Sequence, residues 1–271
     1  MKMNESPEIA RFPADPWRNW LASSAGRYVL DWEQAQFDSA VVDLFGYHAL
    51  QCGLPELDAL RENRMPHRFR ACVPDDEGAS RRVDLWLDRY GALPLDTQSL
   101  DLVVLPHVLE FAEDPHQVLR EVDRVLRPEG RVIVSGFNPV SLWGARQIVG
   151  RPLGRPFLPG DNQFIGLPRL RDWFKLLSFE MEHGRFGCYR PPCRSEKWLE
   201  RTRFFESAGD RWWPICGAVY FVSAVKRVCG MRLVAPALER SRRLRRPAVA
   251  VVAPRRVRER QLAARRHSPL R

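Results

Sequence analysis

The sequence predicts an α/β fold, an open and mostly parallel sheet with helices on both faces. Three observations carry that reading. The apolar run Leu102-Val103-Val104-Leu105 has the look of a strand covered on both sides. An amphipathic helix pattern comes after it, and then a second apolar strand, Arg131 to Ser135, which makes a βαβ unit with a right-handed crossover. Strand and helix patterns keep alternating from Ser39 to Val228, with no internal repeat.

Taken in order, Trp17 to Gln36 mixes helix formers with aromatics and reads as a helix packed against the next segment of the chain. Ala40-Val41-Val42-Asp43-Leu44-Phe45 reads as a short buried strand ended by Gly46. Leu54 to Leu60 reads as a short helix, and His67 to Val73 and Val83 to Leu87 as two weaker strands around the turn Asp75-Asp76-Glu77-Gly78. Asp114-Pro115 has the form of an N-cap with proline at the first helical position. Val118, Leu119, Val122, Val125 and Leu126 then recur at helical spacing, and Arg127-Pro128-Glu129-Gly130 closes that helix. Asn138-Pro139 ends the next strand. Arg151 to Gly160 is a Pro/Gly-rich loop, Leu167 to Leu177 an amphipathic helix, and Phe179 to Phe186 and Ala218 to Val228 two further strands.

Charge separates the chain into parts. The net charge is +10, yet 12 arginines and a single acid, Glu259, lie between Arg240 and Arg271. The remainder holds 31 basic and 32 acidic residues, a poor match to a body that tracks phosphates. The expected division is a helical cap over 1–38, an α/β domain over 39–233 and a basic tail over 234–271 too poor in apolar surface to order itself. No apolar stretch approaches the roughly 20 residues of a spanning helix, and Met1 to Pro16 has no signal-like run, so a soluble cytoplasmic chain is expected. The six cysteines are scattered and expected to be reduced; Cys188 and Cys193 have no second pair with which to form a zinc site.

The run from Leu93-Pro94-Leu95-Asp96 through Ser99-Leu100-Asp101-Leu102-Val103-Val104, His107-Val108-Leu109-Glu110 and Asp114-Pro115 to Leu119-Arg120-Glu121-Val122-Asp123-Arg124-Val125-Leu126-Arg127-Pro128-Glu129-Gly130 resembles the "type 11" methyltransferases. Turn, strand, cap, helix face and terminating Pro-x-Gly agree in order and spacing. The resemblance implies the Rossmann-like class I methyltransferase fold, S-adenosylmethionine as cofactor, and ligands bound outside the carboxyl ends of the strands.

In that family the first strand ends in a glycine-rich D-x-G-x-G-x-G loop, where glycine permits positive φ and close approach to the cofactor. The predicted counterpart is Asp43-Leu44-Phe45-Gly46-Tyr47-His48-Ala49, which keeps one glycine. Asp43, Gly46, Tyr47 and His48 are therefore cofactor candidates, His48 either touching the cofactor or plugging the site. Asp75 and Asp76 are the candidates for the ribose-binding acid and Asp88 for the adenine-side acid, and Leu93-Pro94 forms the turn before the central strand.

His107 directly follows that strand and is either a base or a wall of the pocket. Asn138 is placed to hydrogen-bond an acceptor, and Tyr189 with Trp212-Trp213-Pro214 to shape an apolar pocket. His116, in the first turn of its helix, reads as surface. No metal is implied. The expected activity is methyl transfer to a small-molecule or lipid-like acceptor. The competing expectations are a non-catalytic scaffold that retains the fold, and an RNA-associated protein that holds nucleic acid or another anionic surface through its arginine tail.

Overall fold

The computed structural model describes residues 14–74, 83–160, 163–193 and 195–227. Its centre is one seven-stranded sheet in the order β3-β2-β1-β4-β5-β7-β6, where β1 is His48–Cys52, β2 His67–Cys72, β3 Leu85–Trp86, β4 Leu100–Pro106, β5 Leu126–Phe137, β6 Phe179–Gly187 and β7 Val219–Lys226. Strands β1 to β5 run parallel to one another, and β7 runs antiparallel between β5 and β6. The chain leaves β1 outward to β2 and β3, then returns across it to β4. The order therefore reverses between β1 and β4, where an open α/β sheet presents its crevice.

Alternate residues along the central strands feed two cores. Leu50, Val103, Leu105, Val132 and Val134 face helices α4 (Pro115–Val125) and α6 (Leu167–Leu176). Ala49, Leu102, Val104 and Ile133 face α1 (Ala14–Leu21) and α2 (Ser24–Val41). The period-2 alternation of strand side chains puts one set on each face. The predicted cap at Asp114 is present, its side chain accepting from the backbone of Gln117 at 3.0 Å.

Several expectations are corrected. Ala40 and Val41 end α2 instead of opening a strand, and the first strand is His48–Cys52. The reason is that Val29, Glu33, Phe37 and Val41 form one buried stripe at helical spacing, so burial of Val41 rewards continuing the helix. Phe45 and Tyr47, left beyond the helix, are 76% and 65% exposed. The Trp17–Gln36 region is two helices, broken where Ser23 caps α2 by accepting from Gly26 N at 3.2 Å. No helix forms at Leu54–Leu60, because Gly53 and Leu54 turn the chain with φ of 74° and 41°. Arg127–Gly130 lies within β5, with Glu129 in the left-handed region.

Four helices went unpredicted: α3 (Val108–Phe111), α5 (Leu142–Gly150), α7 (Glu196–Arg201) and α8 (Phe204–Trp212). Helix α2 also runs through the expected 38/39 boundary. Asp75, Asp76 and the 234–271 tail lie outside the described residues.

Candidate functional site

The carboxyl ends of β1, β2 and β4 meet at Gly53, Val73 and His107. Gly53 is in the left-handed region, and its N–H donates to Ala71 O at 2.8 Å. A Cβ added there would stand 2.7 Å from Val108 Cγ2. Val108 is itself buried and stiff at χ1, so the crowding is not cheaply relieved. With β1 at 48–52, the loop that answers D-x-G-x-G-x-G is Gln51-Cys52-Gly53-Leu54-Pro55-Glu56-Leu57. It too keeps one glycine.

Gln51 holds this loop. Its buried amide donates to Gly53 O (3.4 Å), Leu54 O (3.2 Å) and Leu57 O (2.8 Å), and its oxygen accepts from Ala59 N at 2.9 Å. Three loop carbonyls are thereby turned inward, while Leu54 and Leu57 sit in the core on the α1–α2 side. The loop is fixed by a side chain where the family pattern uses glycines.

Beside Gly53 opens a cleft of about 280 Å³. Val73, Asp88 and Tyr90 line one wall, and Phe111, Asp114 and Gln117 the other. The Tyr90 hydroxyl accepts from Val73 N at 3.4 Å and also lies 3.4 Å from the position a Gly53 Cβ would take. It thus links the strand ends to the cleft. Asp88 is exposed, with the Arg89 guanidinium 3.5 Å away.

At the end of β4 the arrangement is closed. His107, with φ of 54°, opens α3 and lies wholly buried between two buried carboxylates. Nδ1 is 2.9 Å from Glu110 Oε2, and Nε2 is 3.0 Å from Glu33 Oε1 on α2. The backbone N–H of Phe137 donates to Glu110, Trp17 meets the imidazole edge-on, and Phe137 lies 4.5 Å from it. Burial works against a charged imidazole, but Glu33 and Glu110 outweigh it and push the pKa up to about 10. Burial raises the Glu110 carboxyl above its ordinary range. With both ring nitrogens engaged, His107 is built as a pillar that ties α2 to β4.

The other candidates are dispersed. Asp43, Gly46, Tyr47 and His48 lie at the amino end of β1, opposite the crevice. Gly46 is needed there for another reason: a Cβ would meet Asp101 Cβ at 2.5 Å. Asp101 accepts from Tyr47 N at 2.7 Å and His48 N at 3.0 Å, and so starts the strand. His48 stacks on His67 with ring centroids 5.0 Å apart.

Leu93 and the exposed Pro94 do not line the cleft. Leu93 N donates to Glu121, and its carbonyl accepts from Arg124 at 2.9 Å, which pins that turn to α4. Asn138 spends its amide on Ile215 O (2.7 Å), Gly217 O (3.0 Å) and Val140 N (3.0 Å). The Tyr189 hydroxyl donates to Pro214 O at 2.8 Å. His116 packs on Trp173, and Trp212 and Trp213 are exposed. Sequence reasoning missed Gln51, Tyr90, Glu33 and Glu110. For Glu33 a signal existed, a carboxylate set within an otherwise apolar helical stripe.

Residues 66–134 match the family model described as "Methyltransferase domain". The segment takes in β2, β3, β4, α4, much of β5, and the lining of the cleft. This is a class I methyltransferase fold. The same sheet and helix arrangement recurs in a chain from the complex between the Haloferax volcanii Trm112 methyltransferase activator and a methyltransferase (TM-score 0.53, 15% identity, 78% of this chain and 98% of that one). It recurs in a Thermotoga maritima S-adenosylmethionine-dependent methyltransferase described as a possible histamine N-methyltransferase (TM-score 0.53, 16% identity, covering 78% and 95%). At these identities the likeness concerns the fold alone.

Among curated proteins, the Escherichia coli (strain K12) "Uncharacterized protein YafS" is 43% identical over 91 residues. That match spans 34% of the methyltransferase-fold chain and 37% of its relative. No described helix of the methyltransferase fold is long and apolar enough to cross a membrane.

Proposed function

We propose that this methyltransferase domain binds S-adenosylmethionine in the cleft between Gly53 and Asp88 and directs methyl transfer to a small-molecule or lipid-like acceptor. The observation that carries the reading is the cleft itself, which opens at the carboxyl ends of the strands beside the reversal of strand order and is lined wholly by residues of the family-matched segment.

The residues present fit the nucleoside end of such a group. Tyr90 lines the cleft with a hydroxyl and a flat face, while the room that Gly53 lacks a Cβ to fill is taken by the Val108 side chain. Asp88 presents an exposed carboxylate able to accept hydrogen bonds from ribose or base. When bound, the cofactor supplies an electrophilic sulfonium methyl. The chain supplies orientation, which alone is worth up to roughly 7–11 kcal/mol of barrier. The buried Trp17–Glu33–His107–Glu110 block stands behind Phe111, which lines the cleft, and its imidazole is already held by two carboxylates. With that imidazole engaged, the reading favours an acceptor whose lone pair needs no proton removed.

A second reading is favoured by Pro55 and Leu57, which stand where loop glycines are expected, with their segment pinned by Gln51. Under it the fold is a scaffold without turnover. The test is calorimetric titration of the full chain with S-adenosylmethionine and S-adenosylhomocysteine. Micromolar binding of both is expected. A well-folded sample that binds neither makes the scaffold the function.

A further inference from the structure

A second cavity, of about 650 Å³, lies between α6 and the edge strand β6, apart from the cleft. We propose that it binds an amphiphilic anion, an alkyl chain carrying a phosphate or carboxylate head. Its volume falls within the few-hundred to thousand cubic ångströms of small-molecule sites. Met181 and Phe186 of β6 give it an apolar floor, and Ile215, 64% exposed, gives an apolar lip.

The rim is basic. Arg171 and Lys175 stand one turn apart on α6, and His183 of β6 is also part of the lining. Among the described residues none of the three side chains makes an ion pair. Of the two carboxylates in the lining, Glu182 is neutralised by Arg131 at 2.6 Å, leaving Asp172 against two permanent cations. An apolar floor beneath a net cationic rim matches a ligand with a chain and an anionic head, and a neutral or cationic one less well. Gly184 also lines the cavity, and a Cβ there would meet nothing within 4 Å. The strand is therefore open at this point, and a side chain introduced there projects into free space.

This inference is independent of methyl transfer, so the cofactor titration and an amphiphile titration fail separately. The full chain is titrated with monomeric decyl phosphate, with decanol, with inorganic phosphate, and with vesicles containing phosphatidylglycerol. One-to-one binding of decyl phosphate is expected, at least about tenfold tighter than decanol or phosphate. Arg171→Ala with Lys175→Ala weakens it by about tenfold or more, and Gly184→Leu abolishes it. Circular dichroism verifies that these surface variants fold. Vesicle binding that Gly184→Leu also removes identifies a lipid as the source; binding of the monomer alone identifies a free amphiphile. Equal affinity for decanol, no binding, or binding untouched by Gly184→Leu, as the arginine tail alone would give, overturns the proposal.

Discussion

Glu33 Oε1 lies 3.0 Å from His107 Nε2, and neither side chain is more than 1% exposed. The contact joins the second helix to the strand end where the fold builds its site. The N-terminal helices are thereby locked onto the sheet by charge as well as by packing of Val29, Phe37 and Val41. Removing one partner of a buried pair strands the other, at a cost of about 3–5 kcal/mol. Glu33→Ala should therefore lower the free energy of urea unfolding by about that amount, and Glu33→Gln by less because it keeps a hydrogen-bonding group.

The same cluster predicts a pH dependence on the alkaline side. The folded pKa of His107 is raised to about 10, above its ordinary 6.5. Its contribution to stability is fully present below the unfolded value and is lost as pH rises from 6.5 through about 10. Wild-type stability should fall across that window, and His107→Gln should flatten the fall. A wild-type curve level between pH 7 and 10 would count against a protonated pillar.

Gln51 makes four hydrogen bonds in the buried interior. Gln51→Ala leaves carbonyls of the 53–59 loop unpaired, at about 1–3 kcal/mol for each buried group lost to solvation. A destabilisation of about 2–4 kcal/mol is expected, with faster amide exchange confined first to residues 53–60. Exchange that rises evenly along the chain would show that Gln51 does not organise that loop.

Asp101 receives the backbone N–H groups of Tyr47 and His48 and faces Arg127 at 3.2 Å. Partial burial opposes its ionisation, but the two N–H groups and the guanidinium prevail, and its carboxyl titrates below the ordinary range. Its contribution is present above the unfolded pKa and is lost as pH falls through the folded one. Asp101→Ala should cost about 1–2 kcal/mol and loosen the entry into β1. An unchanged denaturation midpoint would refute this role.

The parts of the fold legible in the sequence are those that neighbouring residues decide. The Asp114-Pro115 cap, the stripe of α4 and the apolar runs of β4 and β5 are local signals, and those elements stand where the residues put them. The first strand escapes such reading because its own segment, His48-Ala49-Leu50-Gln51-Cys52, carries a polar residue whose burial is made tolerable only by loop carbonyls beyond it. Meanwhile Ala40-Val41-Val42 looks like a strand while serving as the last rung of a helix. The partnership of Glu33 with His107 depends on tertiary packing, which no local pattern encodes. Gly46 answers to a constraint that only the fold reveals, crowding by Asp101.

The central claim is that the nucleoside end of the cofactor is held at the carboxyl ends of β1 to β4 and not at the start of β1. The direct test is calorimetric titration of S-adenosylhomocysteine into Asp88→Ala and Asp43→Ala, both exposed positions whose loss leaves the fold intact. The account predicts that Asp88→Ala weakens binding by about tenfold or more while Asp43→Ala matches wild type. Weakening by Asp43→Ala with Asp88→Ala unchanged would contradict it.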